Sequence, residues 1–76
     1  MHTMGGTGRL ATLWTLAWDK DRLTCAIHRT DTGLRLTIET GDAEVLSEGF
    51  DFTPRALSRA KALREALTRR GWIDGS

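Results

Sequence analysis

From Leu10 to Phe52 apolar and polar residues alternate with period two, and at Thr53 the period changes to that of a helix. Successive side chains of a strand point to opposite faces, so a chain with this pattern buries one side of a sheet. Trp14, Leu16 and Trp18 share one face, with Ala11, Leu13, Thr15 and Ala17 on the other. Leu23, Cys25 and Ile27 then alternate with Thr24, Ala26 and His28, and Leu34, Leu36 and Ile38 with Arg35, Thr37 and Glu39. The polar runs Asp19-Lys20-Asp21-Arg22 and Asp31-Thr32-Gly33 supply turn chemistry between them. Pairing Trp18 with Leu23, Leu16 with Cys25 and Trp14 with Ile27, then Arg29 with Leu36 and Ile27 with Ile38, keeps every pair on one face, as an antiparallel meander requires. Gly41-Asp42 marks a third turn, before a shorter strand from Ala43 to Glu48. A two-residue loop there turns Val45 inward and a three-residue loop turns Leu46 inward; a bulge at Gly49 could reconcile the two.

Thr53 reads as an N-cap, with Pro54 at the first helical position, where its missing N–H costs nothing. Phe52 and Leu57 have the spacing of a hydrophobic staple. Ala56, Leu57, Ala60, Leu63 and Leu67 form one stripe, and Gly71 after two arginines marks the C-terminal stop, from which Trp72 can fold back on Leu63 or Leu67. The expectation is an α+β fold, β-β-β-β-α: a four-stranded antiparallel meander with one C-terminal helix packed across one sheet face. Residues 10–74 form a single domain behind a flexible tail, residues 1–9.

A chain of 76 residues points to one core, and a small one. The single cysteine, Cys25, excludes an intramolecular disulfide and a multi-cysteine zinc site. Gly5-Gly6-Thr7-Gly8 lacks the preceding strand and following lysine of a phosphate loop. The first nine residues carry no apolar run of the kind a secretory signal needs, and no stretch has the roughly 18 apolar residues of a membrane span. The expected compartment is the cytoplasm.

The net charge of +1 conceals a separation. Residues 54–70 carry a local +5, and residues 1–53 a local −3. Arg55, Arg59 and Arg69 lie away from the leucine stripe and form a candidate basic patch, with Glu65 spaced to pair with Arg69. Such a patch suits phosphates or an acidic surface. The run from Leu34 to Leu67, with Gly49 ahead of Arg55-Ala56-Leu57-Ser58-Arg59-Ala60-Lys61, loosely resembles the last strands and second helix of a double-stranded-RNA-binding domain. It covers under half the chain, without the family's amino-terminal helix and with Pro54-Arg55 in place of the lysine pair at the helix start. No RNA role is taken from it.

With the helix on the tryptophan face, the other face carries Leu13, Thr15, Ala17, Thr24, Ala26, His28 and Thr37, together with Glu39, which is a mostly small and uncharged surface. Such a surface allows close sheet-to-sheet packing, and a small core makes association useful. Catalysis has little to draw on. Cys25 alternates with core residues, His28 lies on the opposite face of the same strand, and His2 is in the tail. Neither histidine has partners at metal-ligand spacing; Glu39 and His28 can approach each other as a solvated pair. The expectations are therefore no enzyme, no cofactor, no metal and no membrane. The chain reads as a protein-interaction module, a homodimer or a partner-protein adaptor, using the open face or a strand edge. The alternative is weak nucleic-acid binding by the basic helix.

Overall fold

The computed structural model describes residues 8–41 and 43–75. Four long strands, β1 (Gly8–Trp18), β2 (Asp21–Thr30), β3 (Gly33–Thr40) and β4 (Ala43–Phe50), lead into the helix α1 (Thr53–Arg69), and a two-residue strand, β5 (Ile73–Asp74), follows. The sheet is antiparallel in the order β4-β3-β2-β1-β5, with α1 across one face. The meander-plus-helix architecture is the expected one, with β5 added against β1. Of the expected tail, residues up to Thr7, including most of the Gly5–Gly8 run, lie outside the described residues, while Gly8 and Arg9 already belong to β1.

The first two hairpins are tighter than the composition of their turns suggests. Trp18 faces Asp21, Leu16 faces Leu23 and Trp14 faces Cys25, so the first loop is Asp19-Lys20 alone. Asp19 takes a left-handed conformation with φ of 56°, which Asp tolerates better than most residues. Thr30 faces Gly33 and Ile27 faces Leu36 across the second loop. Both registers are displaced by two residues from the expected pairing, and a shift of two leaves every side chain on its own face.

Bulges do change faces. One between Thr12 and Trp14 leaves Leu13 without a partner, and a second falls between Arg9 and Ala11. Leu13 consequently packs against the core instead of lying on the open face, and Ala11, opposite Ile27, is also on the helix side. In β4 the bulge falls at Val45 rather than Gly49: the loop has two residues, yet Leu46 faces Ile38 and packs inward while Val45 is exposed.

The core is Cys25, Leu36, Ile38 and Ala60, with Leu13, Trp14, Leu23, Leu46, Phe50 and Leu63 packed around it. The helix residues sunk against the sheet are Ala56 and Ala60, so the backbone of α1 approaches closely. The Trp14 indole Nε1 donates to the Ala60 carbonyl at 2.9 Å and pins the helix over β1. Leu57, expected in the buried stripe, is 44% exposed, and Phe52 is exposed too, so their staple buries little. Phe52, extended at φ −132° and ψ 139°, caps the helix in place of Thr53. Its carbonyl accepts from the Ala56 amide, and no side-chain cap bond forms.

At the far end, Gly71 has φ of 116°, its amide donates to the Thr68 carbonyl, and the Trp72 amide donates to that of Leu67. This pair of bonds turns the chain back, so that Ile73 faces Ala17 and Asp74 faces Leu16 on β1. Trp72 meets Trp18 edge-on, with ring centroids 5.6 Å apart. Trp18 was expected in the core but is 53% exposed, because it stands at the corner of the sheet, opposite Asp21.

Arg59 joins α1 to β4 by donating two hydrogen bonds to the Glu48 carboxylate, at 2.9 and 3.1 Å. That hydrogen bonding, with the charge of Arg59, holds the Glu48 carboxyl below its ordinary value of 4.5 despite a smaller opposing effect of burial. A lowered carboxyl contributes stability at pH above its unfolded value and loses it as the pH falls through the folded value. Glu48→Gln is therefore expected to lower stability by about 0.2–1 kcal/mol at pH 7 and by nothing measurable at pH 3, read from urea midpoints of the two proteins.

Candidate interaction face of the sheet

The face away from α1 is organised in rows that cross the strands. One row is Arg9, His28, Arg35 and Gly49; the next is Thr12, Ala26, Thr37 and Ser47; a third is Thr15, Thr24, Glu39 and Glu44. Ala17 and Arg22 form a shorter row beyond. The face thus runs from a basic row, through a row of small and hydroxyl side chains, to a row ending in two carboxylates. Four strands hold these positions, and the alternation of each strand excludes the leucines and tryptophans from them.

The expected residues Thr15, Ala17, Thr24, Ala26, His28 and Thr37 are all on this face, while Leu13 has left it. Arg9, Thr12, Arg35 and Ser47 are the positions that sequence reasoning missed. Thr12 arrives only through the bulge at Leu13, which carries no distinctive residue. Arg35 was visible in the alternation, opposite Leu34 and Leu36.

Ala26 and Thr37 are buried although no described element lies over them. Their neighbours shield them. The Arg9 guanidinium spans two strand spacings to reach Glu39 Oε1 at 2.7 Å, along a line that crosses β2 at Ala26, and also approaches the Thr12 hydroxyl. His28 Nε2 shares a hydrogen bond of 2.9 Å with Thr37 Oγ1, and Arg35 donates to Ser47 Oγ at 2.8 Å. Glu39 is therefore engaged by Arg9, and the expected His28–Glu39 approach is replaced by His28–Thr37. Beside the acidic row, Arg9, Arg22, Thr24, Glu39 and the loop at Gly41 border an open groove of about 510 Å³.

Glu39 and Glu44 face one another directly across β3 and β4. Like charges in that position repel. Arg9 answers one of them, and Glu44 makes no ion pair among the described residues. Arg35, which donates to a hydroxyl, is likewise a charge without a counter-ion among the described residues.

The basic helix is partly committed elsewhere. Arg59 is bound to Glu48. Arg55 and Arg69 are exposed, and the Glu65–Arg69 pair does not form among the described residues. Cys25 is fully buried between Trp14 and Ile38, and burial pushes its thiol up to about 11. A thiol-reactive probe at pH 8 is expected to leave native Cys25 unmodified over minutes and to label it fully in urea; immediate labelling of the native protein would contradict the burial. No group of three metal-binding side chains occurs among the described residues, and no helix there is long and apolar enough to cross a membrane.

Fold and face together define a small α+β domain, an antiparallel meander backed by one helix, with no other described element over its second face. No family model matches the sequence, and no curated protein or solved structure is detectably similar to it.

Proposed function

We propose that this chain is a non-catalytic protein-interaction module whose working surface is the uncovered sheet face. The observation that carries this reading is the sorting of that face into a basic row, a small hydroxyl-bearing row and an acidic row, with Arg35 at one end and Glu44 at the other left without counter-ions among the described residues. A solvated sheet face gains nothing from such sorting, whereas a protein surface of complementary pattern would neutralise both ends and fix its own orientation. A photo-cross-linking residue at Thr24, on the face, is expected to give adducts to protein, while one at Ser58, on the exposed side of α1, gives none. Equal labelling from both positions, or none from either, would overturn this reading.

A second reading is favoured by Arg55 and Arg69, which stand exposed on the helix without an ion pair among the described residues. Together with the local +5 of residues 54–70 they suit weak phosphate binding. Arg55→Glu combined with Arg69→Glu is expected to abolish retention on RNA at low salt. Arg59 is left intact in that variant because its loss would free Glu48. Unchanged retention would exclude the helix as a nucleic-acid surface.

A further inference from the structure

We infer that the occupant of the open face is a second copy of this chain, related by a two-fold axis that runs across the strands along the row Thr12, Ala26, Thr37 and Ser47. This rests on the reading of the face given above and specifies its partner.

The axis follows from the rows. Two copies can pack face to face about an axis in the plane of the sheet, either along the strands or across them. Rotation about an axis along the strands places each row over itself, so Arg9, His28 and Arg35 meet their own copies and Glu39 and Glu44 meet theirs. Like charges then face like charges at both ends, which is the worst arrangement. Rotation about an axis across the strands, through the middle row, exchanges the ends. Arg35 then stands over Glu39 of the second copy with Glu44 beside it, and the reverse contact forms at the other end by symmetry.

Two features of one copy fit this arrangement. The row on the axis is the smallest on the face, and the Arg9–Glu39 bridge that crosses it at Ala26 is enclosed in the seam between the two copies. Glu44, which repels Glu39 and has no cation of its own among the described residues, acquires Arg35 from the second copy. Four strands by four rows give a flat area of roughly 500 Å² per copy, under the ~800 Å² per partner of a standard interface. The dimer is accordingly reversible, with a dissociation constant on the order of 10 μM.

Sedimentation equilibrium of the purified full chain, up to about 500 μM, tests this. The expected result is a monomer–dimer equilibrium that Arg35→Glu and Glu44→Lys each weaken about tenfold or more, with unchanged circular dichroism. An equimolar mixture of the two variants should associate more tightly than either variant alone, because one end of the mixed dimer keeps the parent contact and at the other end the two substituted side chains carry opposite charges. A dimer indifferent to both substitutions, or weakened by them and no tighter in the mixture, overturns the inference. A chain that stays monomeric throughout overturns it as well; adducts from Thr24 to a different protein would in that case leave the interaction module standing, and no adducts would remove both.

Discussion

Trp14→Ala is expected to cost about 3 kcal/mol or more, the largest effect of any single side-chain truncation in this chain. At roughly 0.05–0.15 kcal/mol per residue, a chain of 76 residues has only about 4–11 kcal/mol of stability to lose. Trp14 packs against the cluster of Cys25, Leu36, Ile38 and Ala60, and its indole donates to the Ala60 carbonyl. Alanine removes both the packing and the one hydrogen bond from β1 to the helix backbone that the structure shows. Trp14→Phe separates the two, keeping most of the apolar area while losing the donor, and should cost about 1 kcal/mol. Urea unfolding followed by circular dichroism measures both, independently of the other two tryptophans. Equal losses for the two variants would mean that the hydrogen bond, not the packing, holds the helix in place.

The second large effect is at Gly33. Its φ is +151°, outside the range of ordinary L-residues, and a Cβ there would sit 2.7 Å from the Phe50 carbonyl oxygen. Neither problem relieves the other, because the obstructing atom belongs to the backbone of β4. Gly33→Ala is expected to cost about 2–4 kcal/mol and to fray the Leu34–Phe50 end of the sheet. Gly41 supplies the comparison, since its φ is +57° and nothing lies within 4 Å of the position a Cβ would take. Gly41→Ala should cost only about 1 kcal/mol, and amide exchange should report fraying only in the Gly33 variant. A Gly33 variant no less stable than the Gly41 variant would contradict the close approach.

The four strands, the helix and the face on which each strand residue of β2 and β3 lies were legible, because strand periodicity is an integer and survives an error of two in register. Loop length was not. Asp21 and Arg22 have the chemistry of a turn, yet they are the first residues of β2, and Arg22 is held opposite Ala17. Bulges were also invisible. Leu13 and Val45 look like their neighbours, and only the pairing of whole strands shows that each is the extra residue. The helix stripe was readable, but its depth was not: the small side chains Ala56 and Ala60 let the backbone approach, and Leu57 is left at the margin. A two-residue strand such as β5 has no period at all. For the face, the residue types could be read along each strand. The rows could not, since sorting Arg9, Arg35, Glu39 and Glu44 into opposite ends depends on register across three pairings.

The pairing of β5 with β1 also sets an order of events during synthesis. Each of the three hairpins joins neighbours through a loop of two residues, so the sheet can assemble as the strands emerge. Leu16 and Ala17 have their outer partners Asp74 and Ile73 nearly sixty residues later, after the whole helix has been made. Until then that edge of β1 offers its unpaired amides and carbonyls to any passing strand. Trp72, Ile73 and Asp74 thus act as a late guard for the Leu16–Ala17 end of that edge, and a growing chain is more open to mispairing there until they have been made.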